Sequence, residues 1–155
     1  MSVTLEPIGV IRTPFATKEC APIQGAFHPE HLGTVEIFPE YVEGLDDIEE
    51  FTHLILIYEL DRAAACELRR VPLLADAPKG LFATRHPARP NRIGLTVVTL
   101  RARSGCRLEV GMVDMLDGTP LLDIKPYVAR FDAFPEAAEG WFADCANRAK
   151  PEGRE

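Results

Sequence analysis

The stretch THLILIYEL, Thr52 to Leu60, places aliphatic residues or a tyrosine at six of its nine positions and contains neither glycine nor proline. That length suits a strand buried by the core better than a helix, and its β-branched and aromatic content points the same way. It reads as the strongest core strand of the chain. Outward from it, Leu5 to Arg12 (LEPIGVIR) and Gly33 to Phe38 (GTVEIF) carry strand patterns on the N-terminal side. Ile93 to Arg103, Arg107 to Val113 and Leu121 to Tyr127 carry them on the other, and Arg103-Ser104-Gly105-Cys106 reads as a hairpin turn.

Helical signal is confined to Arg62 to Arg70, a short turn near Asp46 to Glu50, and Pro135 to Ala149, where Trp141, Phe142 and Cys145 could form an apolar packing stripe. Six short strands in 155 residues predict a mainly β fold, a compact barrel with a few short peripheral helices. One domain is expected over 1–155, with a core at about 5–134 and a C-terminal helix at about 135–149. There are no internal repeats, and no G-x-G-x-x-G follows a strand, which argues against a dinucleotide-binding fold.

Hydrophobic residues make up 46% of the chain, enough for a packed core, and no apolar run approaches the roughly 20 residues of a membrane span. A soluble, cytoplasmic protein is expected. The four cysteines, at 20, 66, 106 and 145, are widely spaced and read as buried thiols rather than ligands. His28 and His31 form an isolated H-x-x-H, too few donors to lead to an expected metal site. The net charge of −7 disfavours a nucleic-acid partner, yet Arg85, Arg89, Arg92, Arg101 and Arg103 cluster in sequence and can make a locally positive mouth on an acidic body.

That cluster begins in GLFATRHPARPNRIGL, Gly80 to Leu95. Pro87 and Pro90 fix their own φ and push His86 and Arg89 toward extended backbone, so the segment is a stiff loop. A stiff loop displaying guanidiniums suits a phosphate, carboxylate or nucleobase, because little ordering entropy is lost on binding. An ordinary proline-rich surface turn fits the same residues. Further on, Asp114 to Tyr127 reads DMLDGTPLLDIKPY, in which Asp117-Gly118 is a turn whose aspartate can bond backbone amides while glycine takes positive φ.

Three stretches in this order, IGVIRTPF, FATRHPARPNRIGL and DMLDGTPLLDIKPY, together resemble the TrmO family, also called the TsaA-like domain, from about Ile8 to Tyr127. The resemblance implies a β-barrel methyltransferase that uses S-adenosylmethionine, dimerises around it, and methylates N6 of threonylcarbamoyladenosine next to the tRNA anticodon. It implies cofactor contacts at Pro22, Ile23 and Gln24, at Asp61 and Arg62, at Arg85, at Leu95, and at Asp117, Gly118, Thr119 and Pro120. Ile23 stands where the family has arginine, and Asp61-Arg62 replaces a His-Gln pair. Arg92 replaces a proline in the family's Arg-Pro-Asn-Pro-Ile-Gly.

Longer members carry a C-terminal extension, without which RNA would be held by the barrel mouth and the dimer mate. Arg89, Asn91, Arg92, Lys125 and Tyr127 are the expected substrate contacts, with Arg85 and Arg89 anchoring a carboxylate or phosphate. Asp117, Asp123 and Tyr127 are candidates to receive the proton lost by the attacking nitrogen. No metal and no membrane partner are expected. A same-fold methyltransferase with another acceptor, or a non-catalytic cofactor-binding module, fits the altered positions too.

Overall fold

A computed structural model describes residues 1–149; the end of the expected domain, 150–155, lies outside them. The chain runs through β1 (Gly9–Arg12), β2 (Leu32–Ile37), β3 (His53–Glu59), β4 (Arg69–Arg70), β5 (Lys79–Gly80), β6 (Ile93–Ser104), β7 (Arg107–Gly111) and β8 (Thr119–Pro126), then α1 (Ala129–Asp132). Six of these close into a barrel in the order β1-β2-β7-β6-β3-β8, with every neighbouring pair antiparallel, and β4 pairs with β5 outside it. Closure removes the edges at which unpaired backbone would invite aggregation.

The period of two in β3 turns Leu54, Leu56 and Tyr58 inward, while Ile55 and Ile57 are only half-buried on the outer face. Inward residues of the other strands meet them: Ile11, Val35, Val98, Leu108, Val110 and Leu121 are fully buried. Burying each such side chain is worth about 1.5–3 kcal/mol, which is what holds the closed sheet against the entropy of the chain. Gly94 sits where the barrel wall meets the Tyr58 ring; a Cβ there would lie 2.3 Å from that ring, so this position takes no side chain. The hairpin between β6 and β7 turns at Gly105, with φ of 60°, at the place the sequence predicts.

The helical expectations are corrected. Arg62 to Arg70 forms no helix: the short alanine run cannot offset the nucleation cost, and Arg69–Arg70 pair with Lys79–Gly80 instead. At 135–149 only a six-residue 3₁₀ segment, Gly140–Cys145, forms, because Gly140 takes φ of 58° and breaks the helical path. Tertiary contacts hold that segment. The Trp141 indole N–H donates to the Ala83 carbonyl at 2.7 Å, and the Cys145 thiol donates to that of Leu74 at 2.8 Å. The cysteines are corrected as well: Cys145 alone is buried, Cys106 is half-buried, and Cys20 and Cys66 are exposed.

Candidate active site

Antiparallel closure brings to one rim the ends of β1, β3 and β7 and the starts of β2, β6 and β8. The sequence motifs sit on the loops that leave this rim. The segment after β1 carries Pro22, Ile23 and Gln24; that after β3 carries Asp61 and Arg62; the long connection into β6 carries Arg85, Arg89, Asn91 and Arg92; the turn into β8 carries Asp117 and Gly118.

Hydrogen bonds tie these loops together. Arg85 Nη1 donates to Gln24 Oε1 at 3.4 Å, joining the first and third loops. Arg62 Nη2 donates to Thr119 Oγ1 at 3.2 Å, joining the second and fourth, while Arg62 Nε reaches Asp61 at 3.3 Å. Leu60 N–H donates to the Arg92 carbonyl at 2.7 Å, joining the second and third. Asp117 Oδ1 accepts from Thr13 N–H, and Gly118, at φ of 80°, donates its N–H to Ile11. This last bend needs glycine's freedom at positive φ.

Beneath the loops lies a residue that the sequence reading passed over. Asp114 Oδ1 accepts from Thr96 Oγ1 at 2.7 Å, and Oδ2 accepts from Gly25 N–H at 3.0 Å. Thr96 Oγ1 in turn lies 2.9 Å from the Tyr58 hydroxyl, so one chain of polar groups runs from the barrel interior to the residue after Gln24. Lost solvation raises the Asp114 carboxyl from its ordinary value, against the pull of its hydrogen bonds and of the Arg85 guanidinium. Burial, with Asp114 nearby, pushes the Tyr58 phenol up as well. Asp114 opens the DMLDGTP stretch, and its place directly after the β7 run was the available signal.

The arginines of the stiff loop divide by environment. Arg85 is exposed and free to meet an anion. Arg89 is half-buried, and its Nη1 donates to the carbonyls of Thr84 at 3.0 Å, His86 at 3.3 Å and Leu81 at 3.5 Å, so this side chain braces the loop. Burial and then Arg70 push the His86 imidazole below its ordinary value; its Nδ1 accepts from Arg70 at 3.2 Å and from Ala88 N–H at 3.1 Å. Asn91 and Arg92 border an outer cleft of about 290 Å³ with Glu59 and Leu122.

Four expected residues lie elsewhere. Leu95, 57% exposed, projects from the outer wall beside Ile93. Lys125 pairs in register with Ile55, and Tyr127 N–H donates to His53, toward the opposite end of the barrel from Thr119. Lys125 and Tyr127 are six and eight residue steps from Thr119, roughly 20 and 27 Å, so within one protomer these two do not join the rim cluster. Asp123 is 2.9 Å from Lys125 and occupied by that ion pair. A cleft of about 410 Å³ also lies at this far end, between Ile8, Ile37, Tyr41, Leu45, Phe51 and Ile124. Its apolar lining and distance from the charged loops set it apart from the rim site.

A closed antiparallel barrel whose loop-built polar site gathers at one rim is a binding architecture unlike the parallel nucleotide-binding sheets. The tRNA-methyltransferase O N-terminal domain matches residues 10–133, and the chain belongs to that family. It is 46% identical to a probable S-adenosyl-L-methionine-binding protein of Pyrococcus abyssi, over 99% of this chain and 85% of the relative. It is 35% identical to the tRNA (adenine(37)-N6)-methyltransferase of Mus musculus over 83% of this chain, though that spans 31% of the mouse protein. The crystal structure of TrmO from Pseudomonas aeruginosa superposes with a TM-score of 0.79 at 39% identity, covering 90% of this chain and 62% of that one.

Proposed function

We propose that this protein is an S-adenosylmethionine-dependent methyltransferase acting on N6 of threonylcarbamoyladenosine at position 37 of tRNA. The observation that carries the reading is the hydrogen-bonded convergence of four loops on one rim, through Arg85 to Gln24, Arg62 to Thr119 and Leu60 to Arg92. Family membership and the names of the relatives from Pyrococcus abyssi and Mus musculus support the cofactor and the acceptor.

The donor set fits the cofactor. Arg85 supplies a cation for a carboxylate, Asp61 and Asp117 supply acceptors for ribose hydroxyls or an ammonium, and Pro22 to Gln24 and Thr119 to Pro120 supply apolar surface and backbone groups. When bound, S-adenosylmethionine supplies an electrophilic methyl on a sulfonium. The chain's own residues orient the reactants: in-line placement is worth roughly 7–11 kcal/mol of barrier, so no protein nucleophile is needed. Arg89 holds Arg85's loop rigid through its carbonyl contacts, and Asn91 and Arg92, on the same loop, are the residues this reading assigns to the acceptor.

A second copy completes the site in this reading. Ile55, Ile57, Ile93 and Leu95 form an incompletely buried apolar wall that a homodimer would cover, placing the partner's Lys125 and Tyr127 near the rim. Light scattering is expected to give the mass of two chains; one chain's mass would remove this part. A cytoplasmic location follows from a tRNA substrate, and among the described residues no helix is long and apolar enough to cross a membrane.

The test is mass spectrometry of nucleosides from tRNA with and without threonylcarbamoyladenosine, after incubation with the protein and S-adenosylmethionine. One methyl added to the modified nucleoside alone is expected. No gain on either tRNA overturns the acceptor assignment and favours a different methyl acceptor, a reading to which the net charge of −7 lends weight.

A further inference from the structure

The tight turn between the Pro22 to Gln24 segment and β2 has no part in the chemistry above. His28 N–H donates to the Gly25 carbonyl at 2.9 Å and His31 N–H to that of His28 at 3.1 Å, a tight turn that puts side chains three apart on one side. The two imidazoles stack with centroids 4.7 Å apart and planes 11° from parallel, and Phe15 meets His31 edge-on at 5.1 Å. Glu30, between them, brings its carboxylate to 3.1 Å from His28 Nδ1 and 3.8 Å from His31 Nε2. One donor atom from each of the three residues lies within 4.8 Å of the other two.

Hydrogen bonding alone leaves this arrangement incomplete. The distance from His31 Nε2 to Glu30 is beyond a hydrogen bond, and His28 Nε2 and His31 Nδ1 are buried without any partner. Those two nitrogens are not the ones nearest Glu30: the atoms that converge on its carboxylate are His28 Nδ1, which hydrogen-bonds it, and His31 Nε2, which lies beyond hydrogen-bond reach. Donor atoms at bond lengths of about 2.1 Å from one cation are themselves separated by roughly 3.0–3.5 Å; the 3.1 Å spacing lies in that range, and the 3.8 Å one and the His28–His31 one, within 4.8 Å, need a small side-chain movement to close on an ion. Two imidazole nitrogens and a carboxylate oxygen suit a borderline divalent ion, and Glu30, 64% exposed, leaves the remaining coordination open to water.

We propose that His28, Glu30 and His31 form a binding site for a divalent transition-metal ion of the zinc type, a site the sequence reading did not expect. Pro29 restricts the backbone between the ligands, so less ordering is needed on binding. The ion would brace the turn that Gly25 ties to Asp114, stiffening the arm that carries Gln24. Binding does not depend on the proposed methyl transfer.

The experiment uses the whole chain, stripped with chelator and dialysed against zinc, with metal content read by mass spectrometry and thermal melting followed with and without zinc. One zinc per chain and a zinc-dependent rise in melting temperature are expected. Both should vanish in the double variant His28→Ala/His31→Ala, and Glu30→Gln should weaken binding by roughly tenfold or more. Cys20→Ser, at an exposed thiol, should change neither. Equal zinc uptake by the wild type and the double variant, or none by the wild type, overturns the site. Melting without zinc verifies that the double variant folds; if it does not, Glu30→Ala at the exposed ligand gives the same comparison.

Discussion

Asp114→Ala is expected to destabilise the fold by about 2–5 kcal/mol, because it strands the buried Gly25 N–H and Thr96 hydroxyl, each costing about 1–3 kcal/mol when unpaired. Asp114→Asn should cost much less at neutral pH. Its amide oxygen can accept from Gly25, and its NH₂ can donate to Thr96 if the threonine hydroxyl turns to Tyr58. The charge adds a pH signature. The folded carboxyl titrates above its ordinary value of 3.8, so native protein keeps a proton that unfolded protein has lost. With more protons bound in the native state, stability from this group falls as pH climbs from 3.8 to the folded value.

Asn does not titrate, so the stability of Asp114→Asn relative to wild type should rise across that window and level off above it. Urea unfolding midpoints of the two proteins on either side of pH 3.8 check the sign. Parallel curves would mean that Asp114 carries no desolvation penalty, and an unaltered Asp114→Ala melt would remove its bracing role.

Arg85→Ala should lower kcat/KM for methyl transfer by roughly 10- to 100-fold, the loss of one charge-assisted contact worth about 1.5–3 kcal/mol. Stability should move by no more than about 0.5 kcal/mol, since the side chain is exposed and its one hydrogen bond, to Gln24, is long at 3.4 Å. Arg85→Lys keeps the charge but not the planar fork and should recover only part of the loss. Steady-state kinetics beside a thermal melt separate the two roles. Full activity in Arg85→Ala would end its assignment as an anion contact, and a collapsed melt would make it a structural residue. Arg89→Ala makes a useful contrast, because its contacts with the Thr84 and His86 carbonyls place its effect on loop order.

Strand periodicity made the barrel legible before any coordinates: β3, β6 and the Gly105 hairpin fall where alternation and turn residues put them. The helices were misread for a physical reason. Alanine-rich 62–70 and the amphipathic 135–149 have helical propensity, but propensity is weak beside the strand pair Arg69–Arg70 with Lys79–Gly80 and the anchoring of Trp141 and Cys145. Within the site, short motifs exposed Arg85, Asp117 and Gly118, because turn and loop chemistry is local. Asp114 went unremarked because its partners, Gly25 and Thr96, are 89 and 18 residues away.

Local composition thus determined the class of fold, the stiffness of the arginine loop and the bend at Gly118, each a matter of φ preference and side-chain period within a few residues. Tertiary structure alone decided which loops share a rim, that Asp114 meets Gly25 and Thr96, and that Lys125 and Tyr127 stand at the far end of β8. Those outcomes depend on the closure and register of six strands, in which residues distant in sequence become neighbours through pairings that no local window contains.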